Sequence, residues 1–536
     1  MEMVLIESSE EHRINKFLSP TEIYPRAGTR SCGKRLRTFT AGALFVGMLA
    51  GCSSSNSDAS PVENRGPPHI GVNVNTIAFW DGSRPFRNLI YGSGWSMQGT
   101  GGSEEVPVAR LDANGWIKSL PRGHRAQRVL SMPPTSADIV CRWDGNDHRT
   151  MSLSANLVTS RFRRAGTNEI RFHYRSTYPK LASLPALKFT VNPSNYVRNI
   201  DCREASAPPT EVFDPTFLRS LKGFRVIRFV KWQMATEANT PVTWQTRNKP
   251  GDGSYWTKDG VPVEQMVELA NGVGADPWFT MPWNADDDYV TRFAVHVRDN
   301  LARGRRAYVE VSNEVWNGSY PVMRQAEQEG IAEGLDATRG PYGQAMYRYA
   351  EKTQHVMQLW SKVFSGRTDR LVRVVSAQNV SPFWSEQILG YRGTADHVDA
   401  LATAPYWALG DEDDKGQSLD QIMDTVLPAR IEETLNWAAK QKAIAKKYGK
   451  RYIAYEGGQH VWLNKNADLV AQIERDPRMA KLYSSYIRRW NNKIGDTLTL
   501  FCLTGDISTA GFGLVEYAGQ PVSQAPKMRA VRSFLE

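Results

Sequence analysis

The sequence predicts an α/β fold, a (β/α)8 TIM barrel carrying an all-β, sandwich-like accessory domain, and three observations support that expectation. From about Phe224 onward, short apolar runs alternate with amphipathic stretches of helical period, the pattern of parallel βα units. Roughly Gly102 to Pro208 is instead rich in strand formers and turn dipeptides such as Asn114-Gly115 and Asp144-Gly145, with little helical periodicity. Two runs, Val309 to Glu314 and Tyr452 to Gly458, each put a glutamate where a buried strand meets a loop. In such a barrel all strands end at one mouth, so Glu314 and Glu456 can meet there despite 142 positions (456 − 314) between them.

The clearest βα unit starts at Pro428, a favourable first-turn residue. It runs through Ile431, Leu435, Ala438, Ala439 and Ala445, stops at Gly449, and delivers Arg451 to Tyr455 as a strand with Glu456 at its tip. A second helix carries Val290, Phe293, Ala294, Val297 and Leu301 on one face, stops near Gly304, and delivers Ala307 to Ser312 with Glu314 following. A third shows Met346, Ala350, Thr353, Val356, Met357, Trp360 and Phe364 at helical spacing, which reads as a core stripe. Further strands are expected at Phe224 to Val230, Pro277 to Met281, Val372 to Ala377, Ala400 to Ala404 and Thr497 to Leu503, and the missing first strand at His69 to Val74. After it, Pro85 to Ile90 reads as a helix. The expected divisions are a leader (1–51), a tether (52–67), a first barrel unit (68–101), a β insertion (102–208) and the remaining barrel (209–536). The rival arrangement is an N-terminal β domain that includes Ile70 to Val74.

With 536 residues, 41% hydrophobic and 23% charged, the composition is that of an ordinary globular chain. Near the N-terminus Lys34, Arg35 and Arg37 precede an apolar run from Phe39 to Met48, too short to span a bilayer as a permanent helix, which needs roughly 20 residues. The following Leu49-Ala50-Gly51-Cys52 resembles the bacterial lipobox. The resemblance implies cleavage before Cys52 and lipid on its thiol, and Ser53 in place of an aspartate implies the outer membrane in a cell with two. Ser53 to Pro61 is a polar tether that lets a globular body stand off a bilayer. The leader has five glutamates, out of character there, so the true start can lie downstream of Met1. Of the formal charge of +10, the leader holds +2, leaving +8, a balance that fits acidic glycans or a merely solvated surface. No long Lys/Arg run or RNA-binding signature points to nucleic acid. In an oxidising compartment Cys141 and Cys202 can pair, though spacing cannot test the geometry. Cys502 reads as a buried core thiol, and no Cys/His spacing predicts a metal.

Cleaving a glycosidic bond needs an acid for the departing oxygen and a carboxylate facing the oxocarbenium-like carbon. Glu310-Val311-Ser312-Asn313-Glu314 resembles the E-x-x-N-E strand-four signature of the clan A glycoside hydrolases, the (β/α)8 superfamily of cellulases and β-mannanases. The resemblance covers roughly Arg225 to Tyr517, with Gly71-Val72-Asn73 as first strand. It implies Glu314 as acid/base, Glu456 as nucleophile and Asn313 as a donor to the sugar 2-hydroxyl. It implies Arg228, in Val226-Ile227-Arg228-Phe229, as the cation that holds the nucleophile ionised, and Tyr406, in Ala404-Pro405-Tyr406-Trp407, as a donor to it.

Trp283 stands where many clan members have a histidine, and Phe501 or Phe512 where a tryptophan platform is usual. With 16 tryptophans in the chain, Trp283, Trp316, Trp384 and Trp407 are either sugar-stacking rings or core residues. Glu310 shares strand parity with Glu314 and is either a third site carboxylate or a hydrogen-bonded one lower in the barrel. Asp286-Asp287-Asp288 reads as a helix N-terminal cluster, Gly410 to Gly416 as a broken imitation of a calcium loop, and Gly511-Phe512-Gly513 as a turn. The expected activity is that of a membrane-tethered retaining glycoside hydrolase acting on a β-linked glycan without cofactor. The rivals are a non-catalytic glycan-binding lipoprotein on the same fold and a transglycosylase.

Overall fold

Eight short strands pair in chain order, all parallel: Ile70–Asn73 (β1), Val226–Arg228 (β2), Asp276–Met281 (β3), Ala307–Val311 (β4), Leu371–Ser376 (β5), Ala400–Thr403 (β6), Arg451–Ala454 (β7) and Leu498–Leu500 (β8). β8 pairs with β1 and closes the barrel. This computed structural model describes residues 66–535, apart from 146–149, 155–157, 178–183, 237–240, 412, 414–415, 465, 506 and 508–510. The leader, Cys52 and most of the tether lie outside the described residues, as does part of the 410–416 loop. Among the described residues no helix is long and apolar enough to cross a membrane.

Parallel strands are covered on both faces, and these read accordingly as nearly unbroken apolar runs. Alternate residues fill the barrel: Val226, Trp278, Tyr308, Val374, Ala402, Ile453 and Tyr455 form one buried cluster. Their neighbours face outward into a larger core shared with the helices, where Phe279 stacks on Trp360 and meets Phe293 edge to face. Gly71 is required by closure, because a Cβ there would lie 2.9 Å from both Thr499 Oγ1 and Val226 Cβ. The two-residue period then lifts Asn73, Arg228 and Glu310 into the layer above Gly71, Val226 and Tyr308. All three are fully buried, so the interior changes from apolar to polar towards the mouth.

The Pro85–Ile90 segment is not a helix. Its backbone bonds go to distant chain: Phe86 bridges Phe213, Arg87 N–H donates to Val212 O, and Leu89 N–H donates to Cys202 O. A six-residue run offers too few internal bonds to offset helix nucleation, so these tertiary partners decide its form.

Ile70–Asn73 belongs to the barrel, and the antiparallel strands fall between β1 and β2. One sheet has the order Arg198–Glu204, Ala137–Asp144, Glu169–Tyr174, Thr159–Gly166. The other has the order Gly102–Glu105, Ser96–Gly99, Arg125–Val129, Ala186–Phe189, Ser152–Ser154. Their inner faces share a second core that includes Trp95, Trp116, Trp143, Ile170, Phe172 and Phe189. Cys141 and Cys202 sit opposite each other in register and are bonded. Their sequence separation of 61 makes the link worth about 2–4 kcal/mol. Arg128 fastens this domain to the barrel. Fully buried, it donates to Ile90 O (2.6 Å) and to Gly253 O (2.5 Å) in the loop after β2, with its guanidinium 4.5 Å from the Trp95 ring.

Candidate active site

Arg228, at the end of β2, organises the barrel mouth. Its Nη1 donates to Glu456 Oε1 (2.7 Å) and Asn73 Oδ1 (3.1 Å), and its Nη2 donates to Glu310 Oε1 (2.6 Å) and Asn313 Oδ1 (2.6 Å). Burial works against the guanidinium charge, but Glu310 and Glu456 outweigh it and hold Arg228 above its ordinary range. Glu310 is a hydrogen-bonded carboxylate beneath the mouth: its other oxygen accepts Trp278 Nε1 (2.7 Å) and it is fully buried. Glu456, just beyond β7, has Tyr406 Oη donating to Oε2 at 2.9 Å besides the Arg228 bond. Both its partners are donors, so its surroundings match a carboxylate.

Glu314 does not reach the mouth by strand alternation. β4 ends at Val311, and Ser312 (φ 57°) and Glu314 (φ 46°) both adopt left-handed backbone conformations. For side chains other than glycine that geometry costs of order 1–3 kcal/mol, and it is tied down here by Ser312 Oγ donating to Ala235 O (2.5 Å) and Ser312 N–H donating to Met281 O (2.8 Å). The turn sends Asn313 to Arg228 and Glu314 into the space between β4 and β7. There Tyr455 Oη donates to Glu314 Oε1 (2.9 Å) and Asn317 Nδ2 to Oε2 (2.9 Å). Burial, and next the negative charge of Glu456, push the Glu314 carboxyl up to about 7, against the opposing pull of those two donors. Burial and the charge of Glu456 raise Tyr406 well above its ordinary range, and burial and the charge of Glu314 do the same to Tyr455, so both are hydroxyl donors.

Beyond β6 and β7 a second parallel pair, Tyr406–Gly410 with Gly458–Trp462, extends the wall and sets Tyr406 opposite Gly458, two residues from Glu456. On it stands a cluster of half-buried rings: Tyr406, His460 (5.7 Å), Phe512 (5.9 Å) and Phe501 (6.5 Å from Tyr406). Burial lowers His460 to about 4, so its imidazole is neutral beside Phe512. The Phe512 loop is held from behind, where Lys527 pairs with buried Glu474 (2.5 Å) and, together with Gln459, donates to Gly511 O. Gly511 (φ 56°) tolerates no side chain, because a Cβ would fall 2.4 Å from the Glu474 carboxyl carbon.

The structure therefore brings together Glu314, Glu456, Asn313, Arg228 and Tyr406. It removes Trp283 and Trp407 from the sugar-stacking set. Both are fully buried, Trp283 with Nε1 on Glu329 (3.0 Å) and Trp407 packed on Tyr483 and Tyr486, so neither offers a free ring face. Trp316 is half-buried and follows Glu314 in the mouth loop. Asp286 is the N-cap of Asp287–Asn300, accepting Tyr289 N–H (2.7 Å), and Cys502 is a buried free thiol. Sequence reasoning missed Tyr455, Asn317, Trp278 and the Asn73 contact. Asn317, three residues after Glu314, is the one with a local signal.

No protein-family model matches the chain, and no curated protein matches it. Among solved structures it is similar to an α-L-arabinofuranosidase from Thermotoga maritima in complex with arabinose (13% identity, TM-score 0.37, 62% of this chain against 65% of that one). It is also similar to a 4-O-α-L-rhamnosyl-β-D-glucuronidase from Fusarium oxysporum (15%, 0.38, 59% against 63%) and a β-glucosidase from Thermotoga maritima (13%, 0.33, 60% against 85%). The chain spans just under two-thirds of the length of the first two. At such identity and TM-scores the likeness carries no argument about fold, activity or substrate.

Proposed function

We propose that this protein is a retaining glycoside hydrolase that cleaves β-linked glycan by double displacement, with Glu314 as acid/base and Glu456 as nucleophile, tethered to the bacterial envelope through a lipid on Cys52. The supporting observation is the pair of carboxylates with unequal surroundings at one mouth: Glu314 raised to about 7, Glu456 faced by two donors. Glu314 gives its proton to the glycosidic oxygen while a Glu456 oxygen bonds to the anomeric carbon, and the C–O bond to the leaving sugar breaks. Once Glu456 is an ester its charge is gone. The second largest influence raising Glu314 then vanishes, so its pKa falls and the residue stays ionised, in the form that can accept a proton in the step that follows. Glu314 takes a proton from water, the water oxygen bonds to the anomeric carbon, and Glu456 leaves as a carboxylate.

Arg228 keeps Glu456 and Asn313 in fixed orientation, and Asn313 lies beside the pair, where it can meet the sugar 2-hydroxyl as charge develops. In Glu314→Gln or Glu456→Gln, kcat on whichever glycan of a polysaccharide panel the wild type cleaves is expected to fall about 10²–10⁴-fold. Undiminished turnover in either variant removes the assignment, and binding without any cleavage by the wild type favours a non-catalytic glycan-binding protein.

A further inference from the structure

Exposed large aromatic side chains are informative when they gather at a cleft. Two of the most exposed in the described residues, Trp80 (40% exposed) and Phe383 (46%), both follow barrel strands on the mouth side. Trp80 lies in the loop after β1, and Phe383 in the first turn of Pro382–Gly390, the helix after β5. In a closed barrel of eight strands in sequence order, β1 and β5 are on opposite sides. The two aromatic residues therefore stand on opposite sides of the mouth, with the carboxylates that follow β4 and β7 between them.

Each side is a built shelf. Beside Trp80 stands half-buried Trp256, from the loop after β2, at 5.1 Å. On the other side a path of contacts leads outward from the acid/base residue. Trp316 follows Glu314 by two positions, its carbonyl accepts Tyr342 Oη (3.1 Å), the Tyr342 ring lies 5.1 Å from Trp384, and Trp384 lies 5.2 Å from Phe383. The Arg339 guanidinium rests 5.1 Å from the Phe383 ring and steadies it.

We infer that these shelves bind a polymeric glycan running across the mouth, so that the enzyme cuts inside the chain rather than trimming its end. The inference rests on the hydrolase reading above and adds the substrate class. The leaving group takes its proton from Glu314, so the shelf beginning at Trp316 holds the departing part of the chain. A group of aromatic residues reaching out to Phe383 is needless for a small aglycone and suits several sugar units, whose apolar faces stack on aromatic side chains. The Trp80–Trp256 pair does the same for the retained part, which an enzyme removing terminal sugars would instead wall off.

The test uses the mature protein on a panel of β-glucans, β-mannans, xylans, β-galactans and polyuronates, taking the polymer from which it releases reducing ends, alongside an aryl glycoside of the same sugar. Solution viscosity is expected to collapse while few reducing ends have appeared. Phe383→Ala and Trp80→Ala are expected to lower the ratio of polymer to aryl-glycoside kcat/KM at least tenfold, and the aryl glycoside reports that each variant is folded. Release of only mono- or disaccharide from the outset, or an unchanged ratio in both variants, overturns the inference. Loss of turnover in Glu314→Gln with such end-trimming would sink this inference alone, whereas full turnover in Glu314→Gln would sink the hydrolase reading itself.

Discussion

Glu314 is where pH enters the chemistry. Its carboxyl titrates at about 7, raised first by burial and then by Glu456, so it holds its proton below that value and loses it above. As an acid it must be protonated, so kcat/KM should fall as pH rises through 7. Tyr455 and Asn317 stabilise the ionised form and lower this pKa, and removing either donor raises it. Tyr455→Phe and Asn317→Ala should therefore carry activity to higher pH; a basic limb that stays put or moves down in both pH–rate profiles contradicts the assignment. Glu314, Glu456, Arg228 and Tyr406 were legible in the sequence because each sits at the tip of an apolar strand and belongs to a recognisable local run. Tyr455 was not, because a tyrosine directly after an apolar strand reads as core and its bond to Glu314 spans 141 residues.

At the scale of elements, the eight strands were legible for a physical reason. A strand covered on both faces must be apolar throughout, and short apolar runs between helical periods have few other uses. Pro85–Ile90 was misread because its bonds are non-local, and periodicity does not reveal that. The parity linking Glu310 to Glu314 failed for a related reason: two left-handed residues end the two-residue period after Val311. Nor does a tryptophan near a strand end declare which face it takes. Trp283 turns to the helices and bonds Glu329, so Trp283→Phe is expected to cost about 1–3 kcal/mol of stability in urea denaturation while leaving KM unchanged. A several-fold rise in KM at unaltered stability would return that ring to the substrate.

At the scale of the whole molecule, the disulfide and the proposed lipid anchor call for the same compartment. The Cys141–Cys202 bond suits an oxidising compartment, and the proposed lipid on Cys52 would place the chain in one. Metabolic labelling with a tagged fatty acid in a bacterial host should mark the wild-type chain and not Cys52→Ala; equal labelling of both, or of neither, contradicts the tether. The insertion between β1 and β2 was legible from its turn dipeptides and lack of helical period, whereas its fastening through Arg128 was not, because that side chain reaches backbone carbonyls that a sequence does not mark. The chemistry depends on Glu456 attacking carbon while Glu314 manages the proton. Incubation with a 2-deoxy-2-fluoroglycoside of the cleaved sugar, followed by peptide mass spectrometry, tests this most directly. The expected result is one sugar, stoichiometric with protein, on the peptide bearing Glu456; a sugar on Glu314 or Glu310, or no adduct on an enzyme that still turns over the parent substrate, would contradict it.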